Sequence, residues 1–215
     1  MNKKNRFIFT PMVQHIIFDF GGVIYNIDFT RSFAAFEQLG FTGFRQLYSQ
    51  HNASDLFRKL EKGLIEPAAF YQELRDHTGV SVSDEQLRHA WNALLIDYRN
   101  ATLDYLDRLQ KDYRLYLLSN TNRIHYDHFS AELQRLKGRS LESYFSRAWF
   151  SHEIHKRKPD TEIYEWVLAD AGIDAADSLF IDDTSSNLPP AAALGIHTHL
   201  LLPDQRIETL NLSAY

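Results

Sequence analysis

The chain has 215 residues, of which 44% are hydrophobic and 24% charged, and its formal net charge is −5. This composition excludes a disordered chain, and the acidic balance argues against sequence-independent binding of nucleic acid, which needs a cationic surface. The absence of cysteine excludes disulfide scaffolds, thiolate zinc sites and thiol nucleophiles. The apolar runs are too short to span a bilayer, so we expect a cytoplasmic protein without a membrane partner.

Five short, continuously apolar runs indicate buried β-strands. The runs cover residues 14–19, 113–119, 147–150, 178–182 and 195–201. Continuous apolar character, rather than alternation, is typical of parallel strands that helices cover on both faces. Segments with helical spacing separate several of these runs, as in residues 161–171, whereas residues 132–141 are predicted to form a mobile loop. The pattern predicts an α/β fold with a doubly wound, parallel, Rossmann-like sheet.

One connection is far longer than the others. Roughly ninety residues separate the first predicted strand from the second, which is much more than an ordinary crossover needs. The clearest helices that we predict there cover residues 32–39, 84–95 and 102–110. Because ligands of such sheets bind at the carboxyl ends of the strands, an insertion after the first strand lies above the ligand crevice. We therefore predict a catalytic core of residues 1–27 and 97–215 and an α-helical cap of residues 28–96.

Polar residues occur where the predicted strands end or shortly afterwards. They are, in chain order, Asp19, Ser119, Asn120, Lys158, Asp182 and Asp183. Three carboxylates that meet at one edge of a sheet repel one another unless a cation lies between them. Oxygen ligands without cysteine or clustered histidine suit a hard ion, above all Mg²⁺. Lys158, with the hydroxyl and amides of Ser119 and Asn120, would hold an anion beside the metal.

These segments resemble the four motifs of the haloacid dehalogenase superfamily, in the phosphatase branch that carries a helical cap after the first motif. The corresponding segments are residues 18–23, 117–122, 158–159 and 180–183. They occur in order over most of the chain, and the four together are highly specific. Residues 119–123 and 157–159, together with Gly21, look closest to bacterial α-D-glucose-1-phosphate phosphatases.

The resemblance implies a nucleophile and a metal site. Asp19 would attack phosphorus to give an aspartyl-phosphate. Mg²⁺ would be held by a carboxylate oxygen of Asp19, the backbone carbonyl of Gly21 and the carboxylate of Asp183. Asp182 would be either a further ligand or a partner of the ligands.

The resemblance also implies how the phosphoryl group is held. Ser119 and the Asn120 amide would bind phosphoryl oxygens, and Lys158 would neutralise the charge of the transferring group. The partner would be a small-molecule phosphate ester. The sequence identifies neither the sugar nor the oligomeric state.

One position departs from the family pattern. Most phosphatases of this superfamily carry a second aspartate, a general acid and base, two residues after the nucleophile, and here that position is Gly21. Positioned proton transfer contributes about 10²–10⁴-fold to a rate, so we expect slow hydrolysis of ordinary alkyl phosphates. An anomeric hydroxyl is more acidic than a plain alcohol and leaves with less help. Gly21 therefore favours a sugar 1-phosphate, such as glucose 1-phosphate, as substrate.

Several interpretations stay open at this point. A 2-haloacid dehalogenase uses the same nucleophile without the second aspartate and without metal, but the pair Asp182-Asp183 would then lack a cation. A degenerate member that only binds a metabolite is a third reading. Residues 61–63 resemble the cap loop that reaches into the active site of relatives, although a helix–helix turn is nearly as good an account. Asn187 is interpreted as a loop or cap residue, and the histidines as surface or interface residues.

Overall fold

The computed structural model describes residues 13–48 and 55–215. Its main sheet has five strands, which are β1 (His15–Phe18), β4 (Arg114–Ser119), β5 (Arg147–Phe150), β6 (Ser178–Asp182) and β7 (His197–Leu200). Their spatial order is β5-β4-β1-β6-β7, and all neighbouring strands are parallel. Two further strands, β2 (Tyr25–Ile27) and β3 (Leu95–Tyr98), form a separate antiparallel ribbon.

Helices surround the main sheet and form the insertion above it. The described residues contain α1 (Phe29–Gln38), α2 (Phe44–Leu47), α3 (Asp55–Glu61), α4 (Pro67–Thr78), α5 (Asp84–Asn92), α6 (Asn100–Leu109), α7 (Arg123–Lys137), α8 (Ser151–Ile154), α9 (Thr161–Ala171) and α10 (Leu188–Ala193). Within the described ranges, the length and polarity of every helix rule it out as a membrane span.

The main sheet confirms the predicted fold class, and each predicted strand contains an observed one. Its central strands are almost completely covered: all five residues of β6 are buried, as are three of the four in β1. Phe18 pairs with Leu117 on one side and with Ile181 on the other. The three central strands therefore end close together, and the residues that follow them share one edge.

Two local predictions are wrong. The insertion is not helical throughout, because α5 ends at Asn92 and the chain from Leu95 is extended and pairs with β2. Residues 132–141 are not a mobile loop, since α7 continues to Lys137. Gly138, in the left-handed conformation with φ 66°, ends that helix, and a short 3₁₀ turn follows from Leu141.

The insertion has an apolar cluster of its own. Aromatic rings dominate it, with Phe36, Phe57, Phe70 and Trp91 almost fully buried, and Ile124 on α7 contacts it from the core. Two other clusters lie against the two faces of the main sheet. The division into a core of residues 1–27 and 97–215 and a cap of residues 28–96 stays a prediction, whose boundaries fall at the β2–β3 ribbon.

Candidate active site

The parallel sheet brings polar residues from distant parts of the chain to one edge. Asp19 follows β1 directly, and its backbone N–H donates to the carbonyl of Ile181 at 2.9 Å. Ser119 and Asp182 are the last residues of β4 and β6. Carboxyl ends of neighbouring parallel strands meet at the same edge, which is where open α/β sheets bind their ligands.

Lys158 is held at both of its ends. Its ammonium donates to Asp19 Oδ1 at 2.6 Å and to Asp182 Oδ2 at 2.7 Å, and the residue is only 1% exposed. Its backbone is held by the side chain of Asn120, which accepts from the Lys158 N–H at 2.9 Å and donates to the Lys158 carbonyl at 2.8 Å. The position of this cation is therefore set by three other residues.

Asp182 is the most completely hydrogen-bonded carboxylate of the site and is fully buried. Besides the bond from Lys158, its Oδ1 accepts from the Thr184 N–H at 2.7 Å, and the Asn187 side-chain amide lies 3.0–3.1 Å from both oxygens. The carbonyl of Asn187 is in turn fixed by the hydroxyl of Tyr164 at 2.7 Å. Asn187, interpreted from sequence as a loop or cap residue, stands at the N-cap position of α10, and its side chain also orients this buried charge.

The charges of the site do not balance. Asp19, Asp182 and Asp183 offer oxygens that lie within 4.8 Å of one another, and the Lys158 ammonium contacts Asp19 and Asp182. Burial raises the pKa of the Asp19 carboxyl to about 8, with Lys158 opposing the shift and the other two carboxylates adding to it. Desolvation and the neighbouring Asp182 also raise the pKa of Asp183. Such a cluster is destabilised by its own negative charge and gains from a cation.

The donor set fits Mg²⁺. Asp19 and Asp183 supply carboxylate oxygens, whereas both oxygens of Asp182 are already occupied by hydrogen bonds. Within the described part of the chain, the carbonyl of Gly21 accepts no hydrogen bond and so keeps both lone pairs. Hard oxygen ligands in small number are what Mg²⁺ takes from proteins.

The two adjacent glycines differ in what their backbone requires. Gly22 has φ +73°, and a Cβ placed there would lie 1.9 Å from Asp183 Oδ2. Gly21 lies outside the left-handed region, and a Cβ there would meet only the tip of the Ile27 side chain, at 3.0 Å. Gly22 is therefore needed for the close approach of Asp183, while Gly21 has space for a small side chain once Ile27 shifts slightly.

A cavity of about 600 Å³ opens above this edge of the sheet. Of the residues predicted for the site, those that line it are Asp19, Gly21, Ser119, Asn120, Lys158 and Asp183. Asp182 lies below the lining. The opposite wall comes from the insertion and includes Tyr48, Glu61 and Trp91. One end of the cavity is thus built by strand ends and the other by the insertion.

The loop that starts at the end of α3 docks against the core. His155 Nδ1 donates to the carbonyl of Lys62 at 2.7 Å. Gly63, with φ +61°, packs so closely on the core that a Cβ there would lie 2.0 Å from the carbonyl oxygen of His152. This loop therefore reaches the core and does more than connect α3 to α4.

An ion pair crosses from this loop to the core. Arg157 Nε donates to Glu61 Oε2 at 3.0 Å, and the two side chains are 17% and 16% exposed. Burial raises the pKa of the Glu61 carboxyl, and the Arg157 charge opposes that shift. Sequence analysis had named Glu61 only within the resemblance to a cap loop and Arg157 only within the motif around Lys158. It had not paired them, since one belongs to the insertion and the other lies 96 positions away in the core.

His125 joins the insertion to the core as a neutral ring. Its Nε2 donates to the carbonyl of Trp91 at 3.2 Å, its Nδ1 accepts from the Asn122 side chain at 3.0 Å, and its ring stacks on the Trp91 indole at 4.9 Å. Burial lowers the pKa of His125 to about 3. This agrees with the expectation of an interface histidine.

The sequence is similar to a family of hydrolases and to two phosphatases. A family model described as haloacid dehalogenase-like hydrolase matches residues 13–195. A D-ribitol-5-phosphate phosphatase of Bacteroides thetaiotaomicron is 31% identical over 187 residues, which is 87% of this chain and 91% of that protein. A sesquiterpene phosphatase of Aspergillus oryzae is 28% identical over 147 residues, or 66% of this chain and 70% of that protein.

Solved structures agree with these sequence matches. A haloacid dehalogenase family enzyme from Bacteroides thetaiotaomicron, crystallised with magnesium and inorganic phosphate, matches with TM-score 0.86 and 35% identity, covering 93% of this chain and 99% of that one. An L-2-haloacid dehalogenase from Xanthobacter autotrophicus has TM-score 0.59 at 17% identity over 88% of this chain and 78% of that one, which shows the shared fold alone. The strand-end carboxylates, the buried lysine and the matched family model agree: this chain belongs to the haloacid dehalogenase-like hydrolases.

Proposed function

We propose that this chain is a Mg²⁺-dependent phosphatase that hydrolyses a phosphate monoester of a sugar or polyol through an aspartyl-phosphate intermediate. The observation that carries the proposal is the contact of Lys158 with Asp19 at the floor of the cavity, in a cluster with two more carboxylates. The D-ribitol-5-phosphate phosphatase and the magnesium- and phosphate-containing structure among the similar proteins support it.

In this mechanism Asp19 is the nucleophile. Its carboxylate oxygen attacks phosphorus, the bond from phosphorus to the leaving oxygen breaks, and water then attacks the phosphorus of the aspartyl-phosphate to release inorganic phosphate. Lys158 neutralises charge on the equatorial oxygens, and Ser119 donates its hydroxyl to one of them. Asp19, Asp183 and the Gly21 carbonyl would hold Mg²⁺, which when bound supplies further neutralisation of the phosphoryl charge.

Asp182 has a different role from the other two carboxylates. Its oxygens accept from Lys158, Thr184 and Asn187. A carboxylate with this many donors has little capacity left for a metal. We assign Asp182 to the positioning of the Lys158 ammonium and not to direct metal ligation.

Gly21 bears on how the leaving group is protonated. No carboxylate stands two residues after the nucleophile, so the departing oxygen lacks the usual proton donor. On this ground, glucose 1-phosphate should be hydrolysed faster than glucose 6-phosphate. The name of the ribitol-5-phosphate phosphatase indicates an ordinary alkyl phosphate for that protein. Equal rates on the two glucose phosphates would show that another group supplies the proton.

One assay separates the three candidate functions. Phosphate release from p-nitrophenyl phosphate and sugar phosphates is measured with Mg²⁺ and with excess EDTA, and chloride release from 2-chloropropionate is measured alongside. The phosphatase proposal expects phosphate release that Mg²⁺ supports and EDTA abolishes. Metal-independent chloride release would favour a dehalogenase, and no turnover of either class would favour a degenerate binding protein.

A further inference from the structure

The cap end of the cavity contains an ion pair that the proposed reaction does not use. Glu61 and Arg157 both line the cavity, and Arg157 is adjacent in sequence to Lys158, which contacts the nucleophile. The pair therefore borders the same cavity as the nucleophile, and a substrate bound there shares that cavity with it. Its chemistry restricts which substrates fit there.

Among the residues that the structure describes, few groups use the hydrogen-bonding capacity of this pair. The only hydrogen bond between the two side chains joins Arg157 Nε to Glu61 Oε2. Among the described residues, Glu61 Oε1 and the two terminal nitrogens of Arg157 have no hydrogen-bond partner, and both side chains keep some exposure to solvent. A carboxylate oxygen accepts and a guanidinium nitrogen donates, so together they match a group that both donates and accepts.

The charge of the pair further limits which chemical groups of a substrate can bind there. A lone arginine at this position would attract a second anion, such as a carboxylate or another phosphate. With Glu61 beside it at 3.0 Å, its charge is compensated. A further anion would have to lie close to the Glu61 carboxylate, and the partly buried position strengthens that repulsion. Neutral hydroxyl groups meet no such penalty.

We infer that Glu61 and Arg157 form a specificity subsite that binds hydroxyl groups of the substrate's non-phosphorylated end and rejects a second anionic group. This inference rests on the proposed phosphatase function and adds a substrate class to it: neutral polyhydroxylated phosphate esters. Apolar esters, such as prenyl phosphates, would leave the same polar atoms unpaired and are disfavoured for that reason.

A purely mechanical role is the alternative, in which the pair only keeps the loop of the insertion on the core. Two other contacts already do this. The Lys62 carbonyl accepts from His155, and Gly63 packs against the backbone of His152. The ion pair is therefore available to recognise substrate. A test needs a readout that does not change when only the docking of the loop on the core changes.

The readout is a selectivity ratio. We would measure kcat/KM for D-glucitol 6-phosphate and for 6-phospho-D-gluconate, which differ in a terminal hydroxymethyl or carboxylate group, with p-nitrophenyl phosphate as a substrate without hydroxyls. In Glu61→Gln the ratio of the first substrate to the second should fall by about tenfold or more, because one charged partner is lost. In Arg157→Gln it should rise, because an unpaired Glu61 repels the carboxylate.

Lys62→Ala is the matched control, because its ammonium lies in the same loop but faces Asp160 at 4.0 Å. It should leave the ratio unchanged. In Lys62→Ala, turnover of p-nitrophenyl phosphate should also stay within about threefold of that of the unmodified protein. A parallel loss on all three substrates, or an unchanged ratio in both Glu61→Gln and Arg157→Gln, would overturn the subsite.

Failure of the phosphatase proposal would look different, because the unmodified protein would then release no phosphate from any substrate. The subsite is still testable in that case by calorimetry, using Asp19→Asn alone and combined with Glu61→Gln or Arg157→Gln. The affinity for D-glucitol 6-phosphate relative to 6-phospho-D-gluconate should shift in opposite directions in the Glu61→Gln and Arg157→Gln variants, and this result would support the subsite. Identical shifts would contradict it.

Discussion

The two ends of the cavity differ in how completely their polar atoms are satisfied. At the sheet end, Lys158 and Asp182 are buried, and the Lys158 ammonium and both Asp182 oxygens have hydrogen-bond partners. At the cap end, Glu61 and Arg157 share one hydrogen bond and keep several atoms unpaired among the described residues. Preorganised charges favour a transition state because they need no rearrangement during reaction. The contrast fits the two proposals made above, in which the sheet end performs the chemistry and the cap end selects the substrate.

The largest effect is expected at the nucleophile. Asp19→Asn should reduce phosphate release by at least about a thousandfold, because the amide is nearly isosteric but is neither nucleophilic nor anionic. The fold should persist, as a thermal denaturation curve would show. Asp104→Asn, at an exposed carboxylate on α6, is the control and should keep full activity. A variant of Asp19 that retained a tenth of the turnover would rule out the covalent mechanism.

The next effect distinguishes the two adjacent carboxylates at the end of β6. Asp183→Ala should raise the Mg²⁺ concentration needed for half-maximal activity by about 100-fold or more, since even outer partners of metal ligands contribute 10–100-fold. Asp182→Ala should instead lower kcat, because Lys158 loses the partner that holds its ammonium. A titration of activity against Mg²⁺ separates them. An equal rise of the Mg²⁺ requirement in both variants would show that Asp182 is a ligand.

A smaller effect is expected at the adjacent glycines. Gly22→Ala should destabilise the fold by roughly 2–4 kcal/mol, because alanine resists positive φ and its Cβ would displace Asp183. Gly21→Ala should cost less, since only the end of the Ile27 side chain must move. Chemical denaturation measures both. Equal costs would mean that the close approach of Gly22 to Asp183 is unimportant.

The smallest effect concerns the contact between the insertion and the core. The folded state holds the pKa of His125 at about 3, below its ordinary value of 6.5, so folding favours the neutral ring. The stability that this contributes is complete above pH 6.5 and is lost as the pH falls toward 3. His152, whose pKa burial lowers to about 4, adds to the loss in the same direction.

His125→Gln should flatten this pH dependence, by roughly 1–2 kcal/mol between pH 6.5 and pH 4. The measurement is the free energy of unfolding at several pH values. His77→Gln, at an exposed position on α4, is the control and should leave the profile unchanged. A variant of His125 with the same profile as the unmodified protein would show that this ring titrates freely.

The sheet and the positions of the motif residues could be predicted because both depend on local patterns. Buried parallel strands have continuous apolar runs, and a polar residue at the end of such a run lies at the carboxyl edge of the sheet. The β2–β3 ribbon was missed because its strands have only three and four residues. Runs this short carry too little periodicity to differ from the ends of helices.

The hydrogen bonds within the site could not be predicted, for a different reason. Asn120 binds the backbone of Lys158, 38 residues away, and Asn187 binds Asp182 through a particular side-chain orientation. Such contacts depend on the conformations of loops and on side-chain rotamers, which composition and spacing do not specify. The pattern also drew attention to Gly21, whereas the residue with positive φ is its neighbour Gly22.

The central claim is that Asp19 accepts the phosphoryl group, and borohydride reduction tests it most directly. The enzyme is mixed with Mg²⁺ and substrate, quenched in acid during turnover, and treated with sodium borohydride, which reduces an acyl phosphate of aspartate to homoserine. The account predicts homoserine at position 19 in peptide mass spectra, dependent on both substrate and Mg²⁺. Unmodified aspartate at position 19, in enzyme that was releasing phosphate when quenched, would contradict it.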